Sequence, residues 1–234
     1  MRRYILVLLL LSVFIPAIQA QDYYEETDTS EYIPAFERDT NARVHAGAIA
    51  GLHYRGITFK ANSDPLYSDS IGNWSSTPQI GFSFGIVVDT RLTDRLNFVT
   101  GVNIMISKLQ LGFSFNGSDY DQYTNYSTLQ LPLWLNYSFS TKPDHFYFGL
   151  GGILTTDVSR SDEKINRTIT FNNVGFLVGG GVGYRKRLPT YFNLNFDLQV
   201  HYSLLNLVAD DPNFYNEAMD IIKIWEVSFY ISID

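Results

Sequence analysis

The feature that most limits what this chain can become is a long run of strict alternation. Between Tyr191 and Leu204 every second residue is apolar. Phe192, Leu194, Phe196, Leu198, Val200, Tyr202 and Leu204 fall on one face, and Asn193, Asn195, Asp197, Gln199, His201 and Ser203 on the other. Successive strand side chains point to opposite faces, so this segment predicts one strand with an apolar and a polar side. It is longer than the ~5–6 residues usual in soluble sheets. It meets the ~9–11 residues that a tilted strand needs to cross a bilayer.

The pattern recurs along the chain. Leu129, Leu131, Leu133, Leu135, Tyr137 and Phe139 alternate with Gln130, Pro132, Trp134, Asn136 and Ser138. Comparable two-faced runs start at Ile80, Phe146, Val174 and Trp225. Arg43 to Arg55 turns His45, Gly47, Gly51 and His53 to one side. Leu96 to Phe115 changes phase near Lys108, which implies either a bulge or a strand rising clear of the membrane. These make eight strands. Short connections with turn residues (93–95, 141–144, 188–190) alternate with long polar ones (roughly 56–77, 115–126, 157–172 and 207–221). That layout predicts an all-β fold, an eight-stranded antiparallel transmembrane β-barrel with short periplasmic turns and long external loops. Aromatics on the apolar face gather toward both ends, as girdles at the two interfaces would require. The competing architecture is a soluble sandwich or lipocalin-like barrel, with the apolar face turned inward.

The first residues agree with export. Arg2 and Arg3 precede an apolar run, Tyr4 to Ile15, which is followed by Pro16 and a small residue, Ala20. The run is too short to anchor the chain comfortably, so residues 1–20 are expected to be a removed signal peptide. Residues 21–42 carry seven acids against Arg38 alone and predict an acidic, unstructured periplasmic arm. The barrel is expected over 43–234. The formal charge is −7; loss of Arg2 and Arg3 from 17 basic residues leaves 15 against 24 acidic ones. Phosphate binding needs a basic face, so nucleic acid is excluded as a partner. The absence of Cys rules out disulfides and a lipid-modified cysteine.

If the apolar face meets lipid, the polar face lines the lumen. A luminal cluster of structural role is expected from Asp89, Arg91, Arg185, Asp197, His201 and Glu226, with His53 and Arg55 on the same face. Eight strands leave an interior just wide enough for side chains, so these groups should pair into a plug. Inward glycines on the sixth strand are expected to make room for Trp134 or Arg185. No catalytic, cofactor or metal pattern emerges. His45 and His53 share a face but stand about 26 Å apart by strand rise, too far for one metal. Gly179 to Gly183 sits inside a strand pattern with no following helix, unlike a phosphate loop. His201-Tyr202-Ser203 resembles the His-x-Ser element of outer-membrane lipid A deacylases, but that family's acidic partner lies about a dozen residues on, the acid nearest that position here, Glu217, is poorly spaced, and both side chains face inward.

Several segments together resemble the PorT-type outer-membrane barrels of the Bacteroidota. Leu129 to Tyr137, with Leu131-Pro132-Leu133 at its centre, is similar to that family's fourth strand. Gly81 to Leu92 is similar to its second. Ile33 to Glu37 followed by Val44 to Gly47 resembles its entry into the first strand. Asn206-Leu207 and Tyr215 to Ile221 resemble its final loop. The resemblance implies a non-enzymatic protein in outer-membrane lipid, without cofactor. It also implies contact with secretion machinery of the type IX kind through the arm and periplasmic turns. The alternative is an adhesin or ligand-binding barrel using the external loops, where Tyr120, Tyr123 and Tyr126 cluster.

Overall fold

A β-strand immersed in hydrocarbon must find every backbone partner in a neighbouring strand, which forces the sheet to close. The computed structural model describes residues 44–64, 71–115, 118–159, 169–188, 192–210 and 214–234. The expected signal peptide 1–20 and acidic arm 21–42 lie outside the described residues, as do positions 189 and 190 of the third short turn. The described elements are β1 (Val44–Ala61), β2 (Ile71–Thr77), β3 (Gln79–Arg91), β4 (Leu96–Ile106), β5 (Lys108–Phe115), β6 (Ser118–Asn125), β7 (Thr128–Ser138), β8 (His145–Asp157), β9 (Val174–Arg187), β10 (Asn193–Ser203), the one-turn α1 (Phe214–Glu217) and β11 (Met219–Ile233).

Eight strands form a closed barrel in the order β1-β11-β10-β9-β8-β7-β4-β3. The ladders running from β1 through β11 and round to β3 are antiparallel. The first and last barrel strands pair from Ala48↔Ile233 to Lys60↔Ile221 without a slip. The first short connection is a tight turn: the amides of Leu92 and Thr93 donate to the Leu96 carbonyl at 2.8 and 3.0 Å.

The barrel turns its apolar face out. Phe82 is 61 % exposed and its neighbour Ser83 4 %; Val200 is 55 % exposed and His201 1 %. A soluble barrel would show the reverse, so the lipocalin-like alternative fails. Tyr137, Phe139 and Phe146 stand outward near the short turns, with Tyr184 packed 4.8 Å from Phe146. Near the long connections Tyr54 meets Trp225 edge-on at 5.7 Å, with Tyr202 on the adjoining strand. Both girdles sit at the expected ends.

Two of the expected long loops are corrected. β1 runs on to Ala61, and β2, β5 and β6 form a second, three-stranded antiparallel sheet in the order β2-β5-β6. The phase change near Lys108 marks β5 leaving the barrel rather than a bulge. Ser107 is the pivot; its carbonyl accepts from the Tyr126 amide, and its hydroxyl donates to the Tyr126 carbonyl, both at 2.9 Å. Asn73 takes φ 51° where β2 slips register between Gly72 and Ser75.

The inward glycines also need a correction. Trp134 lies over Gly149 and Gly151 of β8, while Gly179, Gly181 and Gly183 of β9 accommodate His201, Gln199 and Tyr147. A side chain at Gly183 would run into the Tyr147 ring.

The outward orientation predicts that Leu198→Arg, which places a charge on the lipid face, costs about 2–4 kcal/mol if it lies near the bilayer midplane. Urea unfolding in phospholipid vesicles measures this; a change below ~0.5 kcal/mol would place Leu198 away from lipid.

Candidate functional site

The lumen is organised in layers. At mid-height β1 and β11 bring His53 and Arg55 against Glu226, residues 173 and 171 positions apart in sequence. Arg55 donates to Glu226 Oε2 from Nε at 2.8 Å and from a terminal nitrogen at 2.5 Å. His53 Nδ1 lies 3.0 Å from Glu226 Oε1 and 2.9 Å from Ser228 Oγ, and the Ser228 hydroxyl itself donates to Oε1 at 2.7 Å. Because a carboxylate only accepts, Nδ1 carries the proton in the bond to Glu226. The other ring nitrogen meets Ser83 Oγ at 2.7 Å, across on β3. His53 and Glu226 have no exposed surface and Arg55 has 1 %. Glu226 thus satisfies a guanidinium, an imidazole and a hydroxyl at once, as a charge out of water must.

His201 sits beside this group with Nδ1 3.6 Å from Glu226 Oε1, but among the described residues neither ring nitrogen has a hydrogen-bond partner. Its ring meets Trp134 edge-on at 5.4 Å. The Ser203 hydroxyl donates to the Leu205 carbonyl at 2.8 Å. Glu217 lies in α1, outside the barrel strands.

The second polar layer lies toward the short turns. Arg185 bonds Asp89 and donates from Nε to Asn195 Oδ1 at 2.8 Å; Asn97 donates to Asp89 at 3.1 Å. The Tyr147 hydroxyl donates to Asp197 at 2.7 Å, and Asn195 donates to Asp234 at 2.6 Å. Burial raises the carboxyl of Asp234, just beyond β11, above its ordinary range; Arg185 opposes the rise and Asp89 adds to it. A cavity of about 40 Å³ lies among Asp89, Trp134, Tyr147, Arg185, Asp197 and Tyr230. One water needs roughly 10–15 Å³ of such space, so this cavity suits a few waters and no organic solute.

Toward the long connections the lumen becomes apolar. Ile57, Ile153, Leu177, Ile222 and Ile224 from the barrel pack with Leu109 and Leu111 of β5, Tyr126, Phe171 and Leu207. The Arg55 guanidinium lies 5.9 Å from the Tyr126 ring centroid, joining this cap to the ion-pair layer.

The structure therefore brings Asp89 with Arg185, and Asp197 close by; Glu226 and His201 meet one layer away. Arg91 belongs to neither layer. It is partly exposed at the rim and donates to Asp94 of the adjoining turn at 2.6 Å. Tyr126 leaves the expected tyrosine cluster for the cap, while Tyr120 and Tyr123 are exposed on β6. In the strand motif, Leu131 and Leu133 face out and Pro132 lines the cavity. The β4–β7 ladder skips from Thr100↔Leu133 to Asn103↔Gln130 around Pro132, which has no amide to donate. Sequence reading placed Arg55 and Glu226 on the inner face but did not pair them. Their positions on the first and last strands, which must meet in a closed barrel, were the available signal.

The chain belongs to the outer membrane protein β-barrel domain family, whose model matches residues 19–209. It is a protein of the outer membrane. No curated protein matches the sequence. Among solved structures it is similar to the outer membrane protein OprG from Pseudomonas aeruginosa, at 12 % identity over 80 % of this chain and 93 % of that one, with a TM-score of 0.38. It is also similar to the outer membrane protein AlkL in DMPC bilayers, at 13 % identity over 90 % and 94 %, with a TM-score of 0.32.

Glu226→Ala strands Arg55 in the interior and should cost about 3–5 kcal/mol, whereas Arg55→Met combined with Glu226→Leu should recover most of that loss. His201→Leu removes no hydrogen bond and should stay within ~1 kcal/mol of the parent. Denaturant unfolding in vesicles ranks the three; a cost at His201 equal to that at Glu226 would show that the ring is paired.

Proposed function

We propose that this protein is a closed, non-enzymatic barrel that anchors an interaction surface in the outer membrane and serves as an assembly component of protein secretion. The observation that carries the reading is the blocked lumen. A layer of fully buried ion pairs and an apolar cap lie in series between the two mouths. Breaking the ion-pair layer to let solute pass would expose an unpaired buried charge. What remains for function is the surface outside the bilayer. The resemblance to PorT-type barrels supports secretion of the type IX kind as the setting, with partners reached through the acidic arm and the periplasmic turns.

A second reading rests on a separate observation. Tyr120 and Tyr123 are exposed on β6, an edge strand of the outer sheet, alongside Asp119 and Asp121. That edge suits an adhesin or ligand-binding role. A lipid A-modifying role has little support: His201 is enclosed against Trp134, and Ser203 spends its proton on a backbone carbonyl.

Two experiments separate these readings. In planar bilayers the purified full-length protein should give no stepwise ion conductance, and sustained open steps would contradict the blocked lumen. Deleting the gene should reduce exported cargo in the culture medium, with rescue by the parent chain. Unchanged secretion together with lost surface binding would favour the adhesin reading.

A further inference from the structure

The lipid-facing surface carries almost no charge. On the barrel strands the outward positions are apolar or small along nearly their whole length. Toward the external end, however, Lys60 of β1 and Lys223 of β11 both face outward. On the other barrel strands the outward positions near that end hold no charged residue; Lys186 lies at the opposite, periplasmic end of β9.

The two lysines adjoin one another. Lys60 pairs with Ile221 and Lys223 with Thr58, so they are diagonal neighbours across the β1–β11 ladder. Such neighbours stand roughly 7–8 Å apart at the backbone, a gap that one phosphate group can bridge between two ammonium groups. Two hydroxyls lie in the same patch. Thr58 Oγ1 and the Tyr202 hydroxyl are 3.3 Å apart. The Lys223 ammonium is held 5.5 Å from the centroid of the Tyr202 ring, and among the described residues it has no ion pair. Directly below, toward the bilayer centre, the aromatic girdle of Trp225 and Tyr54 marks the depth at which acyl chains give way to headgroups. Lys60 does meet Asp220 at 3.6 Å, but the lysine is 69 % exposed, and such a surface pair is weak and screened.

We propose that Thr58, Lys60, Tyr202 and Lys223 form a binding site for the phosphate of an anionic lipid headgroup in the outer leaflet. The aromatic belt fixes the depth of the patch at the headgroup level. The lysines supply charge, and the Tyr202 hydroxyl donates a hydrogen bond to a phosphate oxygen; Thr58, whose own hydroxyl donates to the Lys223 carbonyl at 3.4 Å, positions it. The site is confined to one side of the barrel, so it also orients the protein among its lipid neighbours. This inference is independent of the secretion role, since it concerns only the membrane-embedded wall.

The test uses the full-length protein refolded in detergent micelles and presented with diphosphorylated or dephosphorylated lipid A, with bound lipid measured by native mass spectrometry. The parent should prefer the phosphorylated lipid. Each of Lys60→Gln and Lys223→Gln should weaken that preference about five-fold, from ~1 kcal/mol per lysine near an anionic surface. The double variant should abolish it. Binding of the dephosphorylated lipid should not change. Lys186→Gln, at the periplasmic end, should behave as the parent. Heat-modifiable gel migration checks that each variant folds. Equal retention of both lipids by the parent, or an equal loss in Lys186→Gln, would overturn the proposal. So would full displacement by millimolar inorganic phosphate, which would make the ligand a soluble anion rather than a headgroup.

Discussion

Hydrocarbon offers no partner to a backbone amide or carbonyl, and every other feature of this protein follows from that constraint. A sheet in lipid must close, and the ladder from β1 round to β3 does so. Closure makes the first and last strands neighbours. That meeting creates the Arg55–Glu226 pair, which no local stretch of chain could form. The period-two alternation then decides which half of each strand is solvated by acyl chains and which half must solve its polar problem internally.

The internal solution differs along the axis. At mid-height charges neutralise one another around Glu226, and nearer the short turns Arg185 collects the acids and amides of β3 and β10. Toward the long connections apolar side chains replace charge, and β5 with its neighbours packs into the mouth. Each layer meets the same demand, that no buried charge be left without a partner out of water. Among the described residues, oxygens of Asp89, Asn103 and Asp234 lack protein partners and all three residues line a cavity with room for water, while the His201 ring nitrogens stay unpartnered outside it. Large rings fit this narrow lumen because β8 and β9 place glycines opposite them.

Much of this could be read in the sequence, and the reason is periodicity. Long alternating runs such as 191–204 name both the strand and its faces, and the break near Lys108 marked the departure of β5. The outer sheet escaped notice because β2 (IGNWSST) and β6 (SDYDQYTN) are short, polar and without a clean alternation. They pair because β5 already extends out of the barrel between them. The apolar cap was missed for a related reason: Ile57, Leu109 and Ile222 face inward where the lumen was expected to be polar throughout. Arg91 went astray at the rim, where a turn acid, Asp94, outcompetes the lumen for it. The face on which Glu226 lies was legible; its partner was not, because alternation fixes a face and leaves inter-strand register open.

The apolar half of each strand meets acyl chains while the polar half is enclosed. The chain has no cysteine, so single nitroxide labels can be attached at chosen positions without background. Labels at Leu198→Cys and Val200→Cys, in protein folded into vesicles, should collide readily with dissolved oxygen and poorly with a water-soluble nickel chelate. A label at Gln199→Cys should be immobilised and shielded from oxygen. The opposite ranking, with position 199 lipid-exposed and 198 and 200 enclosed, would contradict the account.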